Sequence, residues 1–443
     1  MKDASIRRVV SAVALAAAVG ALPAYAQAPL PDGRVLTHRE QAPIVKGWIH
    51  ERFARVLPAL MRREGVDMWI VITREYNDDP VFRSMSPLTT YASRRRTIVV
   101  FHDRGPEKGV EALSIGRFDY EGLYTLVRTT NDGQWDGLRT LIEERQPKSI
   151  GVNMSTSFAH ADGLSASERD ALMRALGPDY GTRVRSAEGL AVGWLETKLP
   201  EETAAYTHVM QAAHAIIREA FSNAVITPGT TTTEDVVWWM RQRVADQGLG
   251  GWFHPSVSIQ RKGGVKDGDI VIRAGDLLHT DFGLVYLGLS TDTQHHAYVL
   301  APGESDAPAG IRAGLAAANR LQDITMANAK PGMTGNAALA AALAQAKAEG
   351  LTPMIYCHPI GYHGHGAGAP IGMTDYQHGV PGSGEYVFRP DTWSSIELNV
   401  MHTVPEWGNQ SVRFALEEDA GLSADGWRWI DGRQDKLYLI NSR

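Results

Sequence analysis

Between His279 and Val299 the chain reads HTDFGLVYLGLSTDTQHHAYV, and this stretch constrains the fold more than any other. Asp281 and Asp292 stand eleven residues apart in apolar, strand-like sequence, with Gly283 and Gly288 between them. A strand, a turn and a returning strand bring the two carboxylates to one point in a buried sheet. There they repel each other and lose their hydration, at a cost of several kcal/mol. A divalent cation, or a pair of them, is the usual compensation. The plainer reading is an Asp pair in surface turns, and the residues downstream decide between the two.

The N-terminus reads separately. Arg7 and Arg8 precede an apolar run from Val9 to Leu22, and Ala24-Tyr25-Ala26 has the small-x-small cleavage pattern, so residues 1–26 are expected to be a signal peptide. The run is short for a bilayer span, and no later stretch is apolar enough, so no stable membrane insertion is expected. The expected location is periplasmic or secreted. Cleavage removes three cations and one anion (Lys2, Arg7, Arg8 and Asp3), which takes the formal charge from −6 to −8. That balance points away from nucleic acid and anionic membranes. The single cysteine, Cys357, rules out an internal disulfide. An exported chain of this kind is held by its core, and by metal if it binds one.

With 443 residues, 44% of them hydrophobic, two domains are expected: residues 27–195 and 196–443. In the first, residues 36–65 read as helix. Strand patterns follow at 68–73, 97–101, 112–116 and 149–153, with helical patterns at 134–145 and 165–176. This alternation predicts an α/β layer. It carries no nucleotide fingerprint. Arg94-Arg95-Arg96 reads as a solvated patch or an anion contact.

From Lys198 the texture changes. A long helical pattern runs to about Val225 and breaks at Thr227-Pro228-Gly229, and Thr231 and Glu234 then have capping-box spacing for a helix reaching Gln247. A similar phrase, Lys330-Pro331-Gly332-Met333-Thr334, recurs between two Ala-rich helical patterns. Residues 200–300 and 308–430 thus each read as helix, Pro-Gly turn, helix and strands. Two like halves imply an internal duplication, with helices covering one face of a curved antiparallel sheet. The second half adds His358-Pro359-Ile360-Gly361, His363, His365, Glu397 in Ser395-Ile396-Glu397-Leu398, and the acidic strand end Glu417-Glu418-Asp419.

In order and spacing these residues resemble the pita-bread metallopeptidases: methionine aminopeptidase, aminopeptidase P and prolidase, with creatinase as a non-peptidase relative. Asp281-Phe282-Gly283, Tyr286-Leu287-Gly288 and Asp292 match the family's first signature. His358-Pro359-Ile360-Gly361 with His365 match its His-Gly-Ile-Gly motif and second histidine, and Glu397 and Glu418 fall on its two Glu positions. The resemblance runs from Lys198 to Arg443, and residues 27–190 resemble the N-terminal domain of aminopeptidase P and creatinase. The implied architecture is an α/β N-terminal domain followed by an α+β pita-bread catalytic domain.

The resemblance also implies a site. Asp281 would hold one ion, His358 and Glu397 another, with Asp292 and Glu418 bridging. Mn²⁺ is the expected metal; Zn²⁺, Co²⁺ and Fe²⁺ also suit the oxygen-rich set. Water activated between the ions would attack a peptide carbonyl. Glu397 would carry its proton, His254 and His365 would contact the carbonyl, and Arg413 would brace the bridging carboxylates. The expected activity is hydrolysis of short peptides at Xaa-Pro bonds by a homodimer. The alternatives are a metal-dependent hydrolase or lyase of a small zwitterion and a catalytically dead binding module.

The chain departs from the family pattern at several positions. Pro359 replaces a glycine, and Gly366 replaces the acidic residue after the second histidine. Arg413 lies five residues before Glu418 rather than two, which leaves Glu417 as an alternative last ligand. His279 reads equally as a buried structural histidine or as part of the pocket. A polar insertion occupies residues 261–269.

Overall fold

The computed structural model describes residues 34–442; the expected signal peptide lies outside them. Thr37 and Glu40 form a capping box that opens α1 (His38–Arg55). The backbone kinks at Val56, and Pro58 in the first turn starts α2 (Leu57–Glu64), which ends on left-handed Gly65. The single helix expected over residues 36–65 is therefore two.

The N-terminal sheet comprises β1 (Met68–Arg74), β2 (Arg96–Asp103), β3 (Val110–Gly116), β4 (Thr125–Arg128), β5 (Ile150–Val152) and β6 (Val184–Ser186), in the order β4-β3-β2-β1-β5-β6. β1, β2 and β3 pair antiparallel, whereas β5 runs parallel to β1. The central strand obeys the two-residue period: Met68, Ile70 and Ile72 enter one core, and Trp69 and Val71 the other. Helices α3 (Gln134–Arg145) and α4 (Ala166–Gly181) cover the first face, and α5 (Glu188–Glu196) joins α1 and α2 on the second. The α4 segment breaks at left-handed Gly177 (φ 64°), so its first part ends at Leu176 as expected, and a second short helical stretch starts at Pro178. Within the arginine run, Arg96 forks onto Glu168 at 2.7 and 3.3 Å and lies over Trp135, so it is structural.

The C-terminal domain opens with α6 (Pro200–Ala220) and α7 (Thr233–Asp246), then β7 (Ser256–Gln260), β8 (Leu277–Phe282), β9 (Val285–Tyr286), β10 (Leu289–Ser290) and β11 (Thr293–Val299). The second half repeats the plan with α8 (Ala309–Asn328), α9 (Gly335–Ala348), β12 (Pro353–Ile355), β13 (His358–Pro359), β14 (Thr392–Ser395), β15 (Leu398–Val404), β16 (Gln410–Leu416), β17 (Asp419–Ser423), β18 (Gly426–Trp429) and β19 (Tyr438–Ile440). The two Pro-Gly turns are built alike. Gly229 and Gly332 have φ of 85° and 87°, and their N–H groups donate to Ile272 and Phe388 carbonyls at 2.7 and 2.9 Å. Ile272 and Phe388 return N–H bonds to Thr231 and Met333. The capping box of α7 falls one residue later than expected, on Thr232 and Asp235. The sheets are antiparallel apart from the β11–β19 pairing, and a Gln294–Glu417 bridge ties the two halves together. This is the pita-bread arrangement.

A buried ion pair joins the domains. Arg52 of α1 meets Glu202 of α6 at 3.0 Å, both fully buried, and also donates to the Thr197 and Trp194 carbonyls. Glu202 accepts from the Tyr362 hydroxyl and the Leu199 N–H.

Candidate metal centre

β8 and β11 pair antiparallel, with Phe282 opposite Thr293 and Asp281 opposite Gln294. The chain reverses through Leu287 and Gly288, at φ of 56° and 73°. Gly283 is required at its place: a Cβ there would lie 2.4 Å from the Thr291 carbonyl and 2.5 Å from the Trp252 indole nitrogen. Asp281 is the last residue but one of β8 and Asp292 precedes β11, so the hairpin brings both acids to one end of the sheet.

His358 on β13, Glu397 between β14 and β15, and Glu417 after β16 reach the same point. His358 Nε2 lies 3.1 Å from Glu417 Oε1, 3.6 Å from Asp292 Oδ2 and 3.8 Å from Glu397 Oε2. Ligand atoms of Asp281, Asp292 and Glu417 lie within 4.8 Å of one another, as do those of His358, Glu397 and Glu417. Glu417 belongs to both groups.

The last acid therefore differs from the expectation. Glu417, not Glu418, joins the cluster. Neighbouring residues on extended chain point to opposite faces, and Glu418 turns away between two imidazoles. Its oxygens meet His214 Nε2 at 2.9 Å and His295 Nε2 at 2.5 Å. Burial alone would raise its pKa, but these two rings overcome burial and hold Glu418 down at about 2. His214 also meets Asp431 at 2.9 Å, and the two acids outweigh its burial to lift it to about 10. The result is a buried clamp of Glu418 between His214 and His295.

Two other expected site residues lie elsewhere. His254 is exposed, bonded to Arg241 at 3.2 Å with its ring against Trp238, and it lines a separate cavity of about 400 Å³. Trp252 fills the space nearer the cluster, its indole donating to the Thr291 carbonyl at 2.9 Å and packing on His365. Arg413 donates to the Tyr356 hydroxyl at 2.8 Å and makes no hydrogen bond to a cluster carboxylate among the described residues. It reaches Asp281 only through its field. His365 does lie beside His358, ring centroids 4.7 Å apart. Burial, then the charge of His358, lowers its pKa and keeps it neutral near pH 7.

The carboxylates are braced instead by Gln294 and Ser395, which carried no sequence signal, with His279 behind Gln294. The Gln294 amide donates to Glu397 at 2.5 Å and to Glu417 at 2.8 Å, while its oxygen meets His279 Nε2 at 3.0 Å. Ser395 donates to Glu417 at 2.7 Å. Buried His279 is pushed well below the ordinary imidazole pKa, first by burial and then by His296, so it is neutral and donates to Gln294. Parity alone put His279 and Gln294 on this face; the Gln–Glu bonds arise between halves and have no local sequence mark. Pro359 and Gly366, both departures from the family pattern, lie against each other, the Gly366 N–H donating to the Pro359 carbonyl at 2.6 Å.

The donor set fits divalent cations. Asp281 Oδ1 is buried without a hydrogen-bond partner. Burial, then the charge of Glu417, pushes Asp281 up to about 7 and moves Asp292 and Glu397 well above the carboxylate range. Four carboxylates and one imidazole make a hard ligand set whose repulsion a cation removes.

The profile of metallopeptidase family M24 matches residues 208–418. The chain carries an M24 metallopeptidase domain. The whole chain is similar in fold to the X-Pro aminopeptidase of Thermotoga maritima, at 14% identity and a TM-score of 0.62 over 86% of this chain and 100% of that one. It is likewise similar to the Xaa-Pro dipeptidase of Bacillus anthracis (18% identity, TM-score 0.57, 88% and 99% covered). The N-terminal domain of a FACT complex subunit from Cicer arietinum shares the fold (10% identity, TM-score 0.58, 89% and 99% covered). No curated protein sequence matches significantly. In this M24 domain the cluster opens on a cavity of about 550 Å³ lined by His358, Glu397 and His365, with residues 157–160 of the N-terminal domain forming the facing wall.

Proposed function

We propose that this protein is an exported peptidase that binds two divalent ions and hydrolyses short peptides at Xaa-Pro bonds. The observation that carries the reading is the meeting of Asp281, Asp292, His358, Glu397 and Glu417 around the unpaired Asp281 Oδ1, at the floor of a cavity roofed by the N-terminal domain. Asp281, Asp292 and Glu417 would hold one ion and His358, Glu397 and Glu417 the other, with Mn²⁺ the first metal to test. Such ions supply Lewis-acid polarisation of a carbonyl and a water of lowered pKa.

The protein's own groups do the rest. Glu397 lines the cavity with one oxygen tied by Gln294 and the other free to take up a proton and deliver it to the leaving amine. Neutral His365, fixed between His358 and Trp252, is placed to donate to the carbonyl oxygen. His358 keeps its orientation because Nδ1 donates to the Pro359 carbonyl at 3.0 Å. The roof formed by residues 157–160 favours short peptides over folded chains.

A binding module without turnover is the second reading, because a FACT complex subunit has the same fold. The complete donor set speaks against it. The test is turnover of Ala-Pro, Ala-Pro-Ala and Ala-Ala by metal-stripped protein with Mn²⁺, Zn²⁺, Co²⁺ or Fe²⁺ restored singly. Release of alanine from the proline peptides with at least one ion is expected. Metal bound at the site without cleavage of any peptide favours the binding module. Light scattering of the mature chain tests the expected homodimer.

A further inference from the structure

Two cavities meet at the candidate centre, and their charged groups are sorted by sign. The first, described above, is lined by the acids Glu397 and Asp375 and by no lysine or arginine. The second, of about 620 Å³, lies between the domains and is lined by Arg83 and by no acid. His160 and His365 line both, so the cavities join beside His358. The second cavity is otherwise apolar or weakly polar, with Val45, Ile49, Leu88 and Trp252 among its walls.

Arg83 differs from the paired arginines of its domain. Arg52, Arg62, Arg96 and Arg145 each bond a carboxylate at 3.0 Å or less. The exposed guanidinium of Arg83 has no ion-pair or hydrogen-bond partner among the described residues. Its field nonetheless reaches His363, which lines the same cavity. A lone cation at an acid-free cavity, with Val45, Ile49, Leu88 and Trp252 along part of its wall, provides for an apolar residue that ends in an anion.

Resting on the peptidase reading, we infer that Arg83 recognises the C-terminal carboxylate of a short peptide. The peptide lies across His365, its amino end in the acid-lined cavity and its apolar C-terminal residue in the cavity of Arg83. The preferred substrates are then peptides with both termini free, and Arg83 sets that preference from the N-terminal domain.

The experiment compares Ala-Pro with Ala-Pro-amide on wild-type, Arg83→Gln and Arg83→Lys proteins. Equilibrium binding is read by calorimetry on metal-stripped protein, and kcat and KM on Mn²⁺-restored protein. Arg83 is exposed and unbonded, so the variants are expected to fold. The wild type should bind the free acid about ten- to a hundred-fold more tightly than the amide. Arg83→Gln should abolish that difference by raising KM for the acid alone, with kcat little changed, and Arg83→Lys should keep part of it. Equal binding of acid and amide by the wild type overturns the inference, as does an equal loss for both ligands in Arg83→Gln. Cleavage of both ligands in either case leaves the peptidase reading standing. An Arg83-dependent preference for the acid without turnover under any ion sustains carboxylate recognition and removes the peptidase reading.

Discussion

Glu417 and Glu418 are adjacent and chemically alike, yet their surroundings give them opposite work. Glu417 faces three other acids across the candidate centre, whereas Glu418 is held between His214 and His295. Glu417→Gln should therefore abolish metal retention and turnover in a folded protein, with metal content read by elemental analysis. Glu418→Gln should keep its ions and lower the melting temperature instead, because the clamp loses its central charge. Loss of metal in Glu418→Gln alone would reverse this assignment. Gln294 is the second residue to test. With both amide hydrogens on cluster carboxylates, Gln294→Leu should weaken metal affinity about 10- to 100-fold, the usual range for groups that orient ligands from behind.

Among the elements, the β8–β11 hairpin carries the sharpest steric condition. A methyl group on Gly283 has backbone on one side and the Trp252 and Phe253 rings on the other. Gly283→Ala is expected to cost about 1–3 kcal/mol through overpacking and to spread Asp281 from Asp292, measured together as a urea midpoint and a metal dissociation constant. The hairpin, its carboxylates and the paired Pro-Gly turns were legible in the sequence because each rests on local signals: residue period, turn glycines and caps. The choice between Glu417 and Glu418 was not: the family match falls on Glu418, the displaced Arg413 leaves Glu417 open, and only the Gln294–Glu417 bridge between distant strands fixes which face each acid takes. The position of His254 was not legible either: it turns outward to Arg241 and Trp238, and Trp252 takes the inner position against His365.

Two properties belong to the whole molecule. Arg52 and Glu202 tie the N-terminal domain to the catalytic one without access to water. Arg52→Met should cost about 3–5 kcal/mol by stranding a buried carboxylate, and the double variant Arg52→Met/Glu202→Leu should recover part of it in denaturant titrations. The second property is the pH response of metal-free protein. Asp281, raised from 3.8 to about 7, keeps its proton in the folded chain where the unfolded chain has lost it. Its contribution is complete below about pH 4 and declines as pH rises to about 7. Glu418, lowered from 4.5 to about 2, works the other way at the acid end, contributing above about pH 4.5 and failing as pH falls toward 2. Metal-free protein should thus melt highest near pH 5 and lower at pH 8, with Mn²⁺ restoring the melting temperature at pH 8. A melting temperature that does not fall between pH 5 and 8 would contradict the uncompensated charge assigned to the cluster.

The alternation that parts Glu417 from Glu418 carries an evolutionary consequence. Most loops of this chain can lengthen or shorten without disturbing the carboxylates, because slack is absorbed in the turns. Between Phe414 and Asp419 there is none. Deleting or duplicating one residue there would exchange the two acids, sending a neutralised carboxylate's partner into the cation pocket and leaving the imidazoles facing the wrong neighbour. Lineages of this protein should therefore vary in side chain along that segment and almost never in its length.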